Sequence, residues 1–349
     1  MLVSLLMIGP GCEPQLGPAE FDHATLEPVR LHPEVVFDDS TLSHPYALVA
    51  FRDTLIVGEA LAGPFVRVID ARAGDLRHSF GRTGDGPGEF RTVWEIWKAT
   101  AGPAVLSTFD PTLRRITRLR LDRLGGDVDP VVGLTKLDAP ASITSASPRA
   151  GGGVIATGFF VDGRVALFDS TGKLESMNGD VPPFEVEVPA PVRQHVYQGI
   201  IVAHPDGRRF AVASRHASRI EILDDDGDPI HVVDGPIVFQ PTVKIADGGT
   251  PHVEFGRETR YGYVDAAANG EHVYLLFSGR LLGPFGRSAT WGRFVHVLDW
   301  NGQLTRVLQL DAAALGITID EERGTLYAVR HEPRPMIVRY ILPAVQAQR

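Results

Sequence analysis

The chain has 349 residues, of which 44% are hydrophobic and 22% charged, so it can bury a globular core. The net charge of −9 and the lack of any basic run argue against a phosphate-binding surface, so we expect no nucleic acid partner. The single Cys excludes an intramolecular disulfide and a cysteine-based metal cage.

The first segment, residues 1–12, is an apolar run followed by Gly9, Pro10, Gly11 and the single Cys12. This order resembles the end of a bacterial lipoprotein signal peptide, whose cleavage frees the Cys for lipidation. An apolar N-terminal segment with an incidental Cys is the alternative. Residues 13–26 have the composition of a polar tether. We therefore expect an exported protein, periplasmic or at the cell surface, attached to a membrane only through a lipid on Cys12.

The first predicted strand covers residues 29–37 and has no neighbouring strand in the sequence. The last repeat of the chain lacks a fourth strand, as described below. We predict that residues 29–37 supply it, because this pairing would close a ring and remove two exposed sheet edges.

A repeated unit follows, in which an apolar strand leads to an Asp, a tight Gly turn and another strand. Five copies are legible, at residues 65–70, 116–122, 165–169, 219–224 and 294–299, with turn glycines at Gly74, Gly125, Gly172, Gly227 and Gly302. The Asp side chain can bond its own backbone two residues later, and Gly accepts the positive φ that closes a hairpin. A sixth apolar strand, residues 336–341, ends the series without that turn.

Each unit is preceded by two more segments with strand character, such as residues 199–203 and 209–213. Strands in fours without long helices predict an all-β, six-bladed β-propeller over residues 27–342, followed by a tail at 343–349. The intervals between the repeated Asp residues are 52, 47, 55 and 75 residues. The last exceeds one blade of about 40 to 50 residues, which predicts a long loop at 239–261, with a seventh blade as the alternative.

Residues 80–90, with the sequence Phe-Gly-Arg-Thr-Gly-Asp-Gly-Pro-Gly-Glu-Phe, carry a family resemblance. They resemble the GxGxGPGEF signature of bacterial six-bladed propeller lipoproteins of the NHL and TolB-like kind. The resemblance implies that the motif joins the outer strand of one blade to the inner strand of the next. Glycines ease this crossing, and Glu89 is expected to accept hydrogen bonds from amides of the loop. A phosphate-binding loop is not expected, because no helix follows and the loop is acidic.

The candidates for metal binding are weak. Residues 224–228 hold four Asp but lack the ligand spacing of a calcium loop and coincide with a repeat turn. The 12 His residues include no His-Glu-x-x-His, so we predict no metal site from a motif. Propeller lactonases similar to gluconolactonase hold a divalent metal with Glu, Asn and Asp at the channel. Glu95, Asn178 and Asp265 have chain positions compatible with such a set, although no motif marks them.

Aromatic, basic and acidic side chains cluster just before the predicted inner strands, where propeller loops surround the mouth of the channel. The candidate ligand-binding residues are His44, Tyr46, Trp94, Glu95, Arg193, His195, Tyr197, Arg260 and Tyr261. Trp, Tyr and Arg often carry binding energy, and packing between strands is the competing explanation of the aromatic residues. The loop with Arg257, Glu258 and Arg260 is a candidate lid.

Two functions remain open. The first is an envelope-anchored, monomeric binding or scaffolding module for a protein, peptide or glycan. The second is a metal-dependent hydrolase or lyase with its site at the channel, which needs at least three converging ligands. The sequence contains no Gly-x-Ser-x-Gly elbow, which excludes a serine hydrolase of the α/β type.

Overall fold

The computed structural model describes residues 26–98, 105–182, 189–241, 253 and 255–343. The predictions for Cys12 and for the tether up to residue 25 lie outside the described residues. Within these ranges, six sheets of four or five strands form a β-propeller. The predicted fold class is confirmed, and the alternative of a seventh blade is wrong.

The first three blades are antiparallel four-stranded sheets that follow one another along the chain. From the channel outward their strands are Pro45–Phe51, Thr54–Glu59, Val66–Asp70 and Leu76–Phe80 in blade 1; Glu95–Lys98, Val105–Asp110, Arg115–Arg120 and Val131–Lys136 in blade 2; and Ile143–Pro148, Val154–Gly158, Val165–Phe168 and Leu174–Asn178 in blade 3.

The last three blades use the same order, and the N-terminal strands complete two of them. Their strands are Gly199–Ala203, Phe210–Ser214, Arg219–Leu223 and Pro229–Asp234 in blade 4; Tyr263–Ala268, His272–Phe277, Gly292–Asp299, Leu304–Ala314 and Val29–Arg30 in blade 5; and Gly316–Asp320, Thr325–Arg330, Met336–Ile341 and Pro33–Phe37 in blade 6. The prediction that the N-terminal strand closes the ring is confirmed, because Pro33–Phe37 pairs antiparallel with Met336–Ile341.

The inner strands form a closed circle, since each contacts the inner strands of both neighbouring blades and the sixth contacts the first. The hydrophobic core is correspondingly divided into clusters between adjacent blades. One of them joins Phe109 and Ile116 of blade 2 to Val154 and Phe168 of blade 3. Alternation along each strand sends side chains to both faces of a blade, so both faces are buried except at the outer strand.

The hairpin turns of the repeat have the predicted chemistry in four of five copies. The carboxylates of Asp70, Asp169, Asp224 and Asp299 each accept a hydrogen bond from the backbone amide two residues later. Their turn glycines have φ between 71° and 90°, a region that L side chains rarely adopt. Asp122 differs because it lies in a 3-10 helix, Leu121–Arg123. Asp224 is thus engaged in its turn, as its place in the repeat predicted.

The Gly-rich segment joins blade 1 to blade 2, as the resemblance implied. Arg82–Thr83 pairs in parallel with Glu89–Phe90 to form a small two-stranded sheet. The Glu89 carboxylate accepts a hydrogen bond from the Gly86 amide at 2.8 Å and forms an ion pair with Arg82 at 2.8 Å. The expected role of Glu89 within the loop is confirmed.

One segment differs from the prediction of a single long loop at 239–261. The extra length between Asp224 and Asp299 is divided between the connection preceding Tyr263 and an insertion within blade 5, which contains the helix Leu282–Phe285 and the 3-10 helix Gly286–Thr290. A further 3-10 helix, Ala150–Gly152, lies in blade 3, and the helix Ala190–Val196 precedes blade 4.

Candidate functional site

The central channel has two different ends. The rim where the inner strands begin, here called the upper rim, carries Tyr46, Trp94 and Leu315. The lower rim, where the same strands end, carries Phe51, Lys98 and Asp320 around a cavity of about 580 Å³. The lower cavity mixes basic and acidic side chains and contains none of the nine candidate ligand-binding residues.

A cavity of about 310 Å³ opens at the upper rim and is here called the mouth cavity. The residues that define it come from blades 1, 2, 4 and 5 and from the connection before blade 5. They include Tyr46, Trp94, Arg215, His216, Phe255 and Tyr261. The structure therefore brings together Tyr46, Trp94 and Tyr261 from the predicted set. The rings of Tyr46 and Trp94 lie 6.0 Å apart, so one wall is aromatic.

Arg215 lies at the centre of this site, directly after the second strand of blade 4. Its Nη2 donates to the Tyr46 hydroxyl at 3.4 Å, and its Nε is enclosed without a hydrogen-bond acceptor among the described residues. Burial disfavours the charged guanidinium, but Tyr46, Asp265 and Glu95 outweigh burial and raise the pKa of Arg215. Arg215 is therefore a permanent cation that lacks a close counter-ion in the described structure.

Below the mouth cavity, a narrower cavity of about 110 Å³ contains Glu95 and Asp265. Glu95 accepts hydrogen bonds from the Ser145 hydroxyl and from the Ala146 amide at 2.7 Å. Burial, reinforced by the charge of Asp265, raises the pKa of Glu95 to about 8. Burial likewise raises the pKa of Asp265 to about 7, although the Ile317 amide donates to its Oδ2 at 2.6 Å. Both carboxyls are therefore predominantly uncharged below neutral pH.

A chain of rings leads from His195 to the mouth cavity. His195 lies 4.9 Å from Phe159 and 5.3 Å from Phe255, measured between ring centroids. Phe255 in turn lies 4.6 Å from His216. Burial lowers the pKa of His195, and burial together with the charge of Arg215 lowers the pKa of His216 to about 3. Both imidazoles are consequently neutral at physiological pH, and of the two His216 lines the mouth cavity.

Other predicted residues lie apart from the mouth cavity. The His44 ring packs against His331 at 4.7 Å, and Arg260 donates from Nη1 to the Gly279 carbonyl at 2.5 Å. Tyr197 is buried in a cluster with Val192 and Val196 of the short helix, where packing explains it. Arg193 belongs to the same helix.

The lactonase-like set is not brought together. Glu95 and Asp265 share the inner cavity, whereas Asn178 lies on the outer strand of blade 3 and its Nδ2 donates to the Asp226 carbonyl. Asn178 does not join them, although its chain position is compatible with such a set, because the outer strand of blade 3 is three strands away from the strand that lines the channel. Among the described residues, no group of three or more His, Cys, Asp or Glu side chains is arranged to hold a metal ion.

The lid prediction can be followed only in part, because residues 242–252 and 254 are outside the described ranges. Of the named lid residues, Arg257 and Glu258 are exposed. Phe255 from this connection lines the mouth cavity, a role that sequence reasoning missed. Arg215 was not predicted either, because no motif marks an arginine that follows a β-strand.

The sequence from residue 30 to residue 322 matches the family described as TolB-like 6-blade propeller-like. A search found no match among curated proteins. Solved propellers share the fold at low identity. U3-55K has a TM-score of 0.53 at 9% identity, over 89% of this chain and 98% of its own. A Bacteroides fragilis protein assigned as exported has a TM-score of 0.53 at 9% identity, over 89% and 94%. The RRP9 WD40 repeats have a TM-score of 0.52 at 9% identity, over 89% and 97%.

Among the described residues, no helix has both the length and the apolar character required to cross a membrane.

Proposed function

Because this chain belongs to the TolB-like six-bladed propeller family, we propose that it is a binding module whose ligand occupies the mouth cavity at the upper rim. The ligand classes that fit such a cavity are a protein segment, a peptide or a glycan. WD40 repeats and a protein assigned as exported share this architecture. Their likeness concerns the fold, so the site itself has to support the proposal.

One observation carries the proposal: aromatic rings from separate blades line one cavity together with a single arginine. Tyr46, Trp94, Tyr261 and Arg215 all line the concave mouth cavity of about 310 Å³. Cavities of about this size with aromatic walls and a few polar groups are the usual form of small-ligand sites. Tyr, Trp and Arg are also the residues that most often dominate binding energy.

A panel of immobilised peptides and oligosaccharides, screened with the full chain, tests the proposal. Tyr46→Ala removes one aromatic wall of the mouth cavity, and Phe51→Ala is a matched control. Both residues lie on the inner strand of blade 1 and are partly buried, but at opposite ends of the channel. We expect Tyr46→Ala to weaken binding by about tenfold or more and Phe51→Ala to leave it unchanged. Equal effects of the two variants would place the ligand elsewhere.

A second candidate is a hydrolase or lyase that uses Glu95 and Asp265. Two buried carboxyls with raised pKa values in one cavity favour this hypothesis, because catalytic acids and bases often have perturbed pKa values. A metal-dependent form would require a further ligand beside these two. Elemental analysis of the full chain, together with melting in the presence of calcium or EDTA, separates the two candidates. A stoichiometric metal whose removal lowers the melting temperature would favour the hydrolase.

We further propose that the protein is exported and anchored by a lipid on Cys12. The support is the apolar segment and small residues before the only Cys. Metabolic labelling with radioactive palmitate in a bacterial host, comparing wild type with Cys12→Ser, tests the anchor. Labelling that persists in Cys12→Ser would contradict it.

A further inference from the structure

We propose that the ligand of the mouth cavity is a peptide that presents a carboxylate, and that Arg215 binds this carboxylate. The inference rests on the proposed function and specifies the ligand class of the same site. Three observations support it: the Arg215 Nε lacks a hydrogen-bond acceptor among the described residues, Glu95 and Asp265 already have hydrogen-bond donors, and the walls of the cavity are largely apolar.

Arg215 has more hydrogen-bond donors than the described structure satisfies. A guanidinium carries five N–H groups, and the side-chain partner seen here is the Tyr46 hydroxyl at 3.4 Å, a long contact. Its Nε is enclosed with no acceptor among the described residues. Because an enclosed donor without an acceptor is costly, such a guanidinium in the wall of a cavity is suited to a ligand that supplies acceptors.

The two nearby carboxyls do not meet this demand. Glu95 is held by Ser145 and Ala146, and Asp265 by the Ile317 amide. Neither forms an ion pair with Arg215 in the described structure, and both influence it only through their charge. Within the described structure, the site therefore lacks a hydrogen-bond acceptor for the Nε of Arg215, whereas it needs no further cation for Glu95 or Asp265. A carboxylate satisfies it best, because its two oxygens match two parallel guanidinium N–H groups.

The walls favour a peptide over a glycan. Phe255, Val264 and Leu315 give the cavity apolar surface beside the aromatic rings. The hydroxyls of a sugar would find few partners on Phe255, Val264 and Leu315, whereas an apolar side chain of a peptide gains by burial there. A volume of about 310 Å³ is at the small end of ligand sites, which suits one or two residues of a chain.

The protonation of the surrounding groups gives the site a pH dependence. The titratable side chains that face Arg215 are Tyr46, Glu95, His216, Tyr261 and Asp265. His216 is neutral because its pKa is lowered to about 3, and Tyr261 is neutral because burial raises its pKa. Glu95 and Asp265 become charged as the pH rises through about 7 to 8. They then compete for Arg215 and repel an anionic ligand, so affinity falls with rising pH.

The test uses three probes: N-acetyl-glycyl-phenylalanine as the free acid, its C-terminal amide, and N-acetyl-aspartyl-phenylalanine amide. Each is titrated into the full chain and followed by tryptophan fluorescence, since Trp94 lies in the cavity, and by calorimetry. If the site binds a C-terminal carboxylate, we expect the free acid to bind about tenfold more tightly than the glycyl amide. If it binds a side-chain carboxylate, we expect the aspartyl probe to bind about tenfold more tightly than the glycyl amide. We also expect affinity for the preferred probe to fall by about tenfold between about pH 6 and about pH 9.

Arg215→Met should abolish the preference for the carboxylate, and Arg215→Lys should retain only part of it. Arg118→Met is the matched control, because Arg118 is also partly buried and also has one side-chain hydrogen bond, to Thr135, but lies in blade 2 away from the channel. If acid and amide bind equally and Tyr46→Ala weakens both, binding at the mouth stands and the carboxylate inference is overturned. It is equally overturned if no probe binds, or if only a uronic acid oligosaccharide binds in an Arg215-dependent way. Because the pH measurement uses wild-type protein, misfolding of a variant would not remove the test.

Discussion

Arg215 of blade 4 donates a hydrogen bond to the hydroxyl of Tyr46 in blade 1, at 3.4 Å. In a ring of six blades these two blades are opposite each other, so the contact spans the upper rim of the channel. The two residues are 169 positions apart in the sequence. The contact places the Arg215 cation beside the aromatic wall formed by Tyr46 and Trp94. Because Arg215 and Tyr46 are far apart in the sequence, neither of them marks the site without the other.

The charge of Arg215 should contribute little to stability. We expect Arg215→Met to change the free energy of unfolding by less than about 1 kcal/mol, because burial of the guanidinium opposes its attraction to Tyr46, Asp265 and Glu95, and its side-chain hydrogen bond is long. Urea denaturation measures the change. A loss above about 3 kcal/mol would show instead that Arg215 is a structural ion-pair partner.

The ion pair between Arg164 and Glu221 should behave in the opposite way. Its atoms lie 2.8 Å apart, both side chains are 2% exposed, and it joins blade 3 to blade 4. Arg164→Met leaves the Glu221 charge enclosed, with Arg219 as its remaining partner, so we expect a loss of about 3 to 5 kcal/mol in urea denaturation. Arg120→Met, which breaks an exposed pair with Asp122, is the control and should cause no resolvable change. Similar losses for the two variants would contradict the prediction.

Glu95 should make the protein less stable as the pH rises. Its pKa is about 8 in the folded chain against an ordinary value of 4.5, so between these values the folded state holds a proton that the unfolded state has lost. Stability therefore declines with rising pH across this window. Glu95→Gln, which remains neutral, should reduce the difference in unfolding free energy between about pH 5 and about pH 9.

Glu34→Gln is the control for this measurement. The pKa of Glu34 is lowered by its bond to Arg339, so replacing Glu34 cannot remove a loss of stability above neutral pH. If Glu95→Gln loses as much unfolding free energy between about pH 5 and about pH 9 as the wild type, Glu95 is charged in the folded protein at neutral pH.

His216 should limit stability on the acid side. Its pKa is lowered from 6.5 to about 3 by burial and by Arg215, so between these values the unfolded state binds a proton that the folded state does not. The corresponding stability is present above about pH 6.5 and is lost as the pH falls toward 3. The melting temperature of His216→Gln should depend less on pH between about pH 4 and about pH 7 than that of the wild type. It should also be lower at every pH, because the variant loses ring packing. A wild-type slope in this variant would assign the acid sensitivity to other groups.

The turn glycines of the repeat should differ in tolerance. Gly172 and Gly302 both have positive φ, so replacing either with Ala should cost about 1 kcal/mol for backbone strain. A Cβ at Gly172 would lie 2.1 Å from the Lys136 carbonyl oxygen of blade 2, whereas at Gly302 its nearest contact is a Val233 methyl at 3.1 Å. We expect Gly172→Ala to be the more destabilising of the two in thermal melts. The reverse order would mean that the contact between blades at Gly172 adjusts freely.

The strands and turns of each blade could be predicted from the sequence because they depend on interactions between residues that are close together in the chain. The Asp70 and Asp299 turns close through bonds two residues apart, and apolar runs between such turns leave strands as the available structure. The pairing of residues 33–37 with the last blade was also predictable, because an unpaired strand and an incomplete blade were both visible in the sequence. Phe255 and the helix Ala190–Val196 were not, since irregular connections have no period to detect.

The six-bladed propeller and the rim on which Tyr46, Trp94 and Tyr261 lie could be predicted from the residues alone, because repeat length and turn chemistry are encoded within each unit. The folded chain was needed to show that Arg215 meets Tyr46 across the ring, that Glu95 and Asp265 share one cavity, and that Asn178 is distant from both. These relationships arise because ring closure brings together residues from different blades. The burial that follows raises the pKa values of the two carboxyls and leaves Arg215 without a close counter-ion among the described residues.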